Sequence, residues 1–116
     1  MRCHLAEQEN LGVAGELPFE TVAEYAKSEH VKLYLCMCTK CAQLYVGCSV
    51  SIPVAGFADD RWGFWVPVKP HEADALQREP QAGLELINSR KHLTLHPDGQ
   101  LYWTSMPELV LNMAFL

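Results

Sequence analysis

The chain lacks the features that announce most chemistries. There is no excess of basic charge: 9 Lys and Arg stand against 14 Asp and Glu, for a net charge of −5. The deficit is spread along the chain, 4 − 6 = −2 over residues 1–58 and 5 − 8 = −3 over residues 59–116. With no basic patch or arm to meet a phosphate backbone, nucleic acid is not an expected partner. No apolar run is long enough for a bilayer: the longest, LVLNMAFL at residues 109–116, falls far short of the roughly 20 residues a spanning helix needs. No membrane partner is expected. The opening stretch MRCHLAEQENLGVAG carries charge where a secretion signal needs its apolar centre, so the cytoplasm is the expected location.

Catalytic signatures are missing as well. There is no Gly-rich phosphate loop and no G-x-S-x-G nucleophile turn. The histidines at positions 4, 30, 71, 92 and 96 are scattered. No nucleophile, base and orienting group come together, so no catalytic residue is assigned and the chain is not expected to be an enzyme. No repeat, low-complexity run or linker divides it, and residues 1–116 are expected to form a single domain.

What is present is a globular composition, 49% apolar and 20% charged. In LPFETVAEYAKSEH, Phe19, Val22, Ala23 and Ala26 share a helical face, and Pro18 suits a first turn, so a helix is predicted there. VKLYLCMC alternates, with Val31, Leu33 and Leu35 on one side and Lys32, Tyr34 and Cys36 on the other. QLYVGCSVSI, rich in β-branched and aromatic residues, reads as its partner strand. DDRWGFWVPV is a third strand with Trp62, Phe64, Val66 and Val68 on one face, and Pro67 implies an edge position or an early end. KPHEADALQREP is a short helix opened by Pro70 and stopped by Pro80. GLELINSRKH fits helix or strand. HLTLHPDGQLYWTS is a hairpin around His96-Pro97-Asp98-Gly99, its turn of type I with a bulge, which puts Leu93 and Leu95 with Leu101 and Trp103. SMPELVLNMAFL is a last helix or a closing strand. The expected fold is α+β, with a mainly antiparallel sheet of about five strands and two to three helices.

Four of the five cysteines fall within Leu35–Cys48. The odd total and the absence of a complete disulfide framework suit a reducing compartment. Cys38-Thr-Lys-Cys41 has the spacing of a zinc knuckle, in which two thiolates two residues apart reach one ion. A structural zinc site would be completed by Cys36 and Cys48; Cys3, His4 and the pair His92/His96 are other candidates. The competing reading is small, buried, reduced thiols, an ordinary fate of free cysteine. A third is a redox pair, Cys38 with Cys41, although a thioredoxin-type motif is followed by a helix and this one by a strand. The tryptophans suggest a surface. Trp62 and Trp65 point to opposite faces of their strand. If one face lies open, Trp65 is exposed beside Asp59, Asp60 and Arg61, and an exposed aromatic with acidic neighbours is a protein-binding anchor.

The segments LYLCMCTKCAQLYVG, DDRWGFWVPV and SRKHLTLHPDGQLYW together resemble small cytosolic immunity proteins of bacterial polymorphic toxin systems. The resemblance covers Leu33 to Trp103, about three-fifths of the chain. In such families Gly commonly follows the second cysteine; here it is Ala42. The resemblance implies an inhibitor that binds one cognate, basic toxin domain. Exposure and charge nominate Asp59, Asp60, Trp62 and Trp65 as its contacts. A zinc-ribbon-like accessory domain, an inhibitor from a virus or mobile element, and a thiol redox enzyme are the alternatives.

Overall fold

The computed structural model describes residues 10–13, 18–27, 30–52, 60–79 and 82–104. Its centre is one antiparallel sheet of seven strands. In chain order these are β1 (Asn10–Val13), β2 (Phe19–Lys27), β3 (Val31–Cys38), β4 (Leu44–Ile52), β5 (Asp60–Val68), β6 (His92–Leu95) and β7 (Gln100–Thr104). Two short helices, α1 (Pro70–Arg78) and α2 (Ala82–Ser89), fill the connection from β5 to β6. The spatial order is β1-β7-β6-β5-β4-β3-β2. The α+β class and the antiparallel sheet are as expected. Among the described residues the strand count is seven rather than about five because β1 and β2 extend the two edges.

β2 corrects the sequence reading. The helix expected over LPFETVAEYAKSEH is a nine-residue edge strand. Its register against β3 shifts between Thr21 and Ala23 and again between Glu24 and Ala26. Each bulge inserts an extra residue and changes which side follows. Phe19 therefore packs on one face of the sheet, while Ala23 and Tyr25 pack on the other. Strict alternation is lost, and the remaining spacing imitates a helical face. Val22, which a helix would have buried, is 54% exposed.

The other elements follow their patterns. Val31, Leu33 and Leu35 pack with Val46, Val50, Phe64, Val66 and Val68 beneath the helices, which add Ala73, Leu76 and Ile87. GLELINSRKH, ambiguous in sequence, is helical as far as Ser89 and enters β6 at His92. Pro70 opens α1, and the Lys69 N–H donates to the Glu72 carboxylate at 3.0 Å, which satisfies a backbone donor ahead of the helix. Leu76 is 2% exposed, and burying it is worth about 1.5–3 kcal/mol. Pro67 lies in a central strand, but β6 pairs with β5 only from Gly63 to Trp65, so the proline sits where that side is unpaired. The β6–β7 turn closes as expected: Gly99 has φ of 97°, and the His96 N–H donates to the Gln100 carbonyl at 2.8 Å. The segment expected to close the chain, SMPELVLNMAFL, lies outside the described residues.

The second face of the sheet is aromatic. Tyr45, Trp65, Leu93, Leu101, Cys36 and Cys38 form a buried cluster, with Phe19, Tyr34, Cys41, Leu95 and Trp103 packed around it. Gly47 on β4 lies between Tyr34 on β3 and Trp65 on β5. The Trp65 indole N–H donates to the Tyr34 hydroxyl at 2.9 Å across that glycine.

Candidate functional site

The sheet register separates the four cysteines of the cluster. Cys36 and Cys38 point to the second face. Cys41 lies in the β3–β4 turn and joins the same cluster, partly exposed. Cys48 pairs with Leu33 and Phe64 and sits in the core beneath the helices. The four-cysteine site predicted from Cys36, Cys38, Cys41 and Cys48 is therefore not assembled, because the sheet lies between Cys48 and the others. Burial pushes the Cys48 thiol up to about 12. Burial, reinforced by Cys38, does the same for Cys36. A thiol held that high is neutral at physiological pH and is a poor nucleophile. Among the described residues, no group of three or more His, Cys, Asp or Glu side chains is placed to share an ion. His92 is fully buried on the helix-bearing side, with its ring Nδ1 2.9 Å from the Arg90 carbonyl oxygen and its ring edge against Phe64. It faces away from Cys36 and Cys38. Cys3 and His4 lie outside the described residues.

The β3–β4 turn itself is tightly drawn. The Ala42 N–H donates to the Cys38 carbonyl at 2.8 Å, and the Cys38 N–H donates to the Gln43 carbonyl at 2.9 Å. Ala42 has φ of 63°, a left-handed backbone that glycine adopts more readily. The Thr39 N–H donates to the Pro18 carbonyl at 2.8 Å and ties the turn to the start of β2.

The residues proposed as partner contacts also divide. Asp59 lies outside the described residues. Asp60 and Arg61 are exposed at the start of β5. Trp62 is half-buried on the helix-bearing face, stacked parallel to Phe64 at 6.1 Å and met edge-on by His96 at 4.7 Å. Trp65 corrects the expectation of an exposed anchor. It points to the opposite face, as alternation requires, but that face is filled, and Trp65 is 6% exposed against Phe19 and Tyr34.

A neighbour that sequence reasoning missed completes this end of the sheet. Gly63 pairs with Leu95, so the register carries Trp62 next to His96. The His96 Nδ1 lies 3.0 Å from the Asp98 carboxylate, and that carboxylate accepts the Gln100 N–H at 2.8 Å. Asp60, Trp62, His96 and Asp98 thus gather on one ledge, while alternation turns Arg61 to the opposite face. Two helices intervene between β5 and β6, so local pattern carried no signal for this pairing. A separate groove of about 350 Å³ runs between the helices, floored by Leu76 and Leu86 with His71, Glu72 and Glu85 on its rim. No described helix is long and apolar enough to cross a membrane. No family model, curated protein or solved structure matches the chain.

Proposed function

We propose that the chain is a protein-binding inhibitor of the immunity-protein type, which acts by occluding a basic toxin domain rather than by catalysis. One observation carries this reading: Trp62 packs against Phe64 and His96 at the rim of the sheet, on the same face as the exposed carboxylate of Asp60. A braced, partly exposed tryptophan loses little side-chain freedom on docking, and such residues dominate interface energetics. The net charge of −5 favours encounter with a basic partner. Asp60, Trp62, His96 and Asp98 form the contact surface. Trp65 contributes from beneath as core.

The test is affinity capture from the native cytosol, followed by titration calorimetry on the purified partner. A single stoichiometric basic domain is expected, with co-expression of the chain relieving its toxicity. Trp62→Ala should weaken binding by about 30-fold or more, the loss typical of a hot-spot residue. Asp60→Lys should mainly slow association and reduce its salt dependence. Wild-type affinity in both variants would move the interface elsewhere, and the absence of any stoichiometric protein partner would remove the reading.

A further inference from the structure

The turn that joins β3 to β4 places two thiols of unequal exposure on one short loop. The bond from the Ala42 N–H to the Cys38 carbonyl, 2.8 Å long, closes a single turn of α-helical type. Cys38 ends β3 and Cys41 follows three residues on within this closed turn, so the turn itself keeps the two close. A disulfide needs Cβ atoms about 3.5–4.5 Å apart, a separation that a short turn can reach. Cys38 and Cys41 belong to one packed cluster. Cys38 is fully buried, and Cys41 is partly exposed. Cys41 can therefore be reached from solvent, while Cys38 is positioned behind it.

We propose that Cys38 and Cys41 form a reversible intramolecular disulfide by exchange with a low-molecular-weight disulfide such as oxidised glutathione. This goes beyond the binding reading and does not rest on it. The Cys41 thiolate attacks one sulfur of the glutathione disulfide, giving a mixed disulfide and one glutathione thiolate. Cys38 then loses its proton, and its sulfur attacks the Cys41 sulfur and expels the second glutathione thiolate. Two protein thiols are oxidised and one disulfide is reduced. The two protons finish on two molecules of glutathione. The second attack is internal, so the burial of Cys38 does not hinder it. Cys36 shares the buried cluster with Cys38, so the peptide map is what distinguishes the two as partners of Cys41. Cys48 lies on the other face, and burial keeps both it and Cys36 protonated, with values raised to about 12.

The experiment equilibrates the full chain in glutathione buffers of rising oxidised fraction. Samples are quenched in acid, alkylated with N-ethylmaleimide under denaturing conditions and read by intact mass and peptide mapping. The expected result is a loss of about 2 Da with two fewer alkylated cysteines, mapped to Cys38 and Cys41 and reversed by reduced glutathione. Cys36→Ala/Cys48→Ala should retain the bridge and Cys41→Ser should lose it. Three results would each overturn the proposal: no mass loss at any ratio, a bridge mapped to another pair, or a lasting glutathione adduct on Cys41. The last would show that Cys38 does not reach its neighbour. The wild-type map decides the matter even if a variant fails to fold.

Discussion

Gly47 supports the aromatic face by having no side chain. A Cβ at this position would lie 2.5 Å from Cε2 and Cζ of Tyr34 and 2.8 Å from its hydroxyl. Ordinary carbon contacts are about 3.5–4.0 Å, so the ring of Tyr34 would have to retreat by ~1 Å. It is not free to do so, because its hydroxyl accepts the Trp65 indole N–H at 2.9 Å. Trp65 is confined in turn, with its own ring lying over Gly63, where a Cβ would come within 2.4 Å. Gly47→Ala therefore overpacks the site, at about 1–3 kcal/mol. It also strains or breaks the Tyr34–Trp65 hydrogen bond, worth about 0.5–1.5 kcal/mol. The reduced entropy of the unfolded chain returns about 0.4–1 kcal/mol. The expected net loss is about 1–3 kcal/mol, or a fall in Tm of roughly 4–12 °C. Urea unfolding followed by tryptophan fluorescence measures it. The decisive comparison is a double-mutant cycle: in a Tyr34→Ala background the penalty should shrink by at least about 1 kcal/mol, because the obstructing ring is gone. A penalty of equal size in both backgrounds, or a neutral Gly47→Ala, would refute the steric reasoning.

Two further predictions concern single groups. Ala42 adopts φ of 63°, so Ala42→Gly should stabilise the fold by about 0.5–1 kcal/mol after the greater freedom of glycine in the unfolded chain is counted; the urea midpoint should rise. Glu72 accepts two hydrogen bonds from the Arg90 guanidinium and one from the Lys69 N–H, and these hold its carboxyl at about 2. A depressed carboxyl contributes stability that is complete above its unfolded value and is lost as pH falls through its folded value. The difference in stability between wild type and Glu72→Gln should therefore be constant near neutrality. It should close progressively from about pH 4.5 toward pH 2. Because the Arg90 side chain is 42% exposed, solvent screening limits that difference to about 1–2 kcal/mol. Unfolding curves at several pH values would show it, and a difference that persisted to pH 2 would contradict the assigned cause.

The parts of the fold legible in the sequence are those governed by local pattern. Alternation in VKLYLCMC and QLYVGCSVSI placed β3 and β4, and proline with acidic residues placed α1. The sequence His96-Pro97-Asp98-Gly99 placed the last turn, because each of those residues carries its own backbone preference. The rest depended on pairings distant in sequence. β2 was misread because its bulges arise from packing against β3 and remove the alternation on which a strand is recognised. Trp65 was assigned correctly to its face, but whether that face is filled depends on Phe19, Tyr34 and Trp103 arriving from three other strands. Cys48 was grouped with its neighbours by spacing along the chain, whereas register put it on the other side of the sheet. The approach of His96 to Trp62 was illegible for the same reason.

The two candidate regions lie at opposite ends of the same sheet. Trp62 pairs with Val50, and Val50 pairs with Val31, so the ledge is level with the start of β3. The Cys38 turn is at the other end of that strand, seven residues on. At about 3.3 Å per residue the two are separated by roughly 23 Å. Between them stands a packed interior: aliphatic side chains under the helices on one face, and Tyr34 and Trp65 over glycines on the other. A packed interior transmits little when it has only one arrangement. The ledge at Trp62 is therefore organised by Phe64 and His96 independently of the thiols. The Cys38 turn communicates instead with the edge strand, through the Thr39 N–H on the Pro18 carbonyl. The proposed disulfide would therefore act on the β2 edge, while the proposed recognition at the ledge would need only a folded sheet.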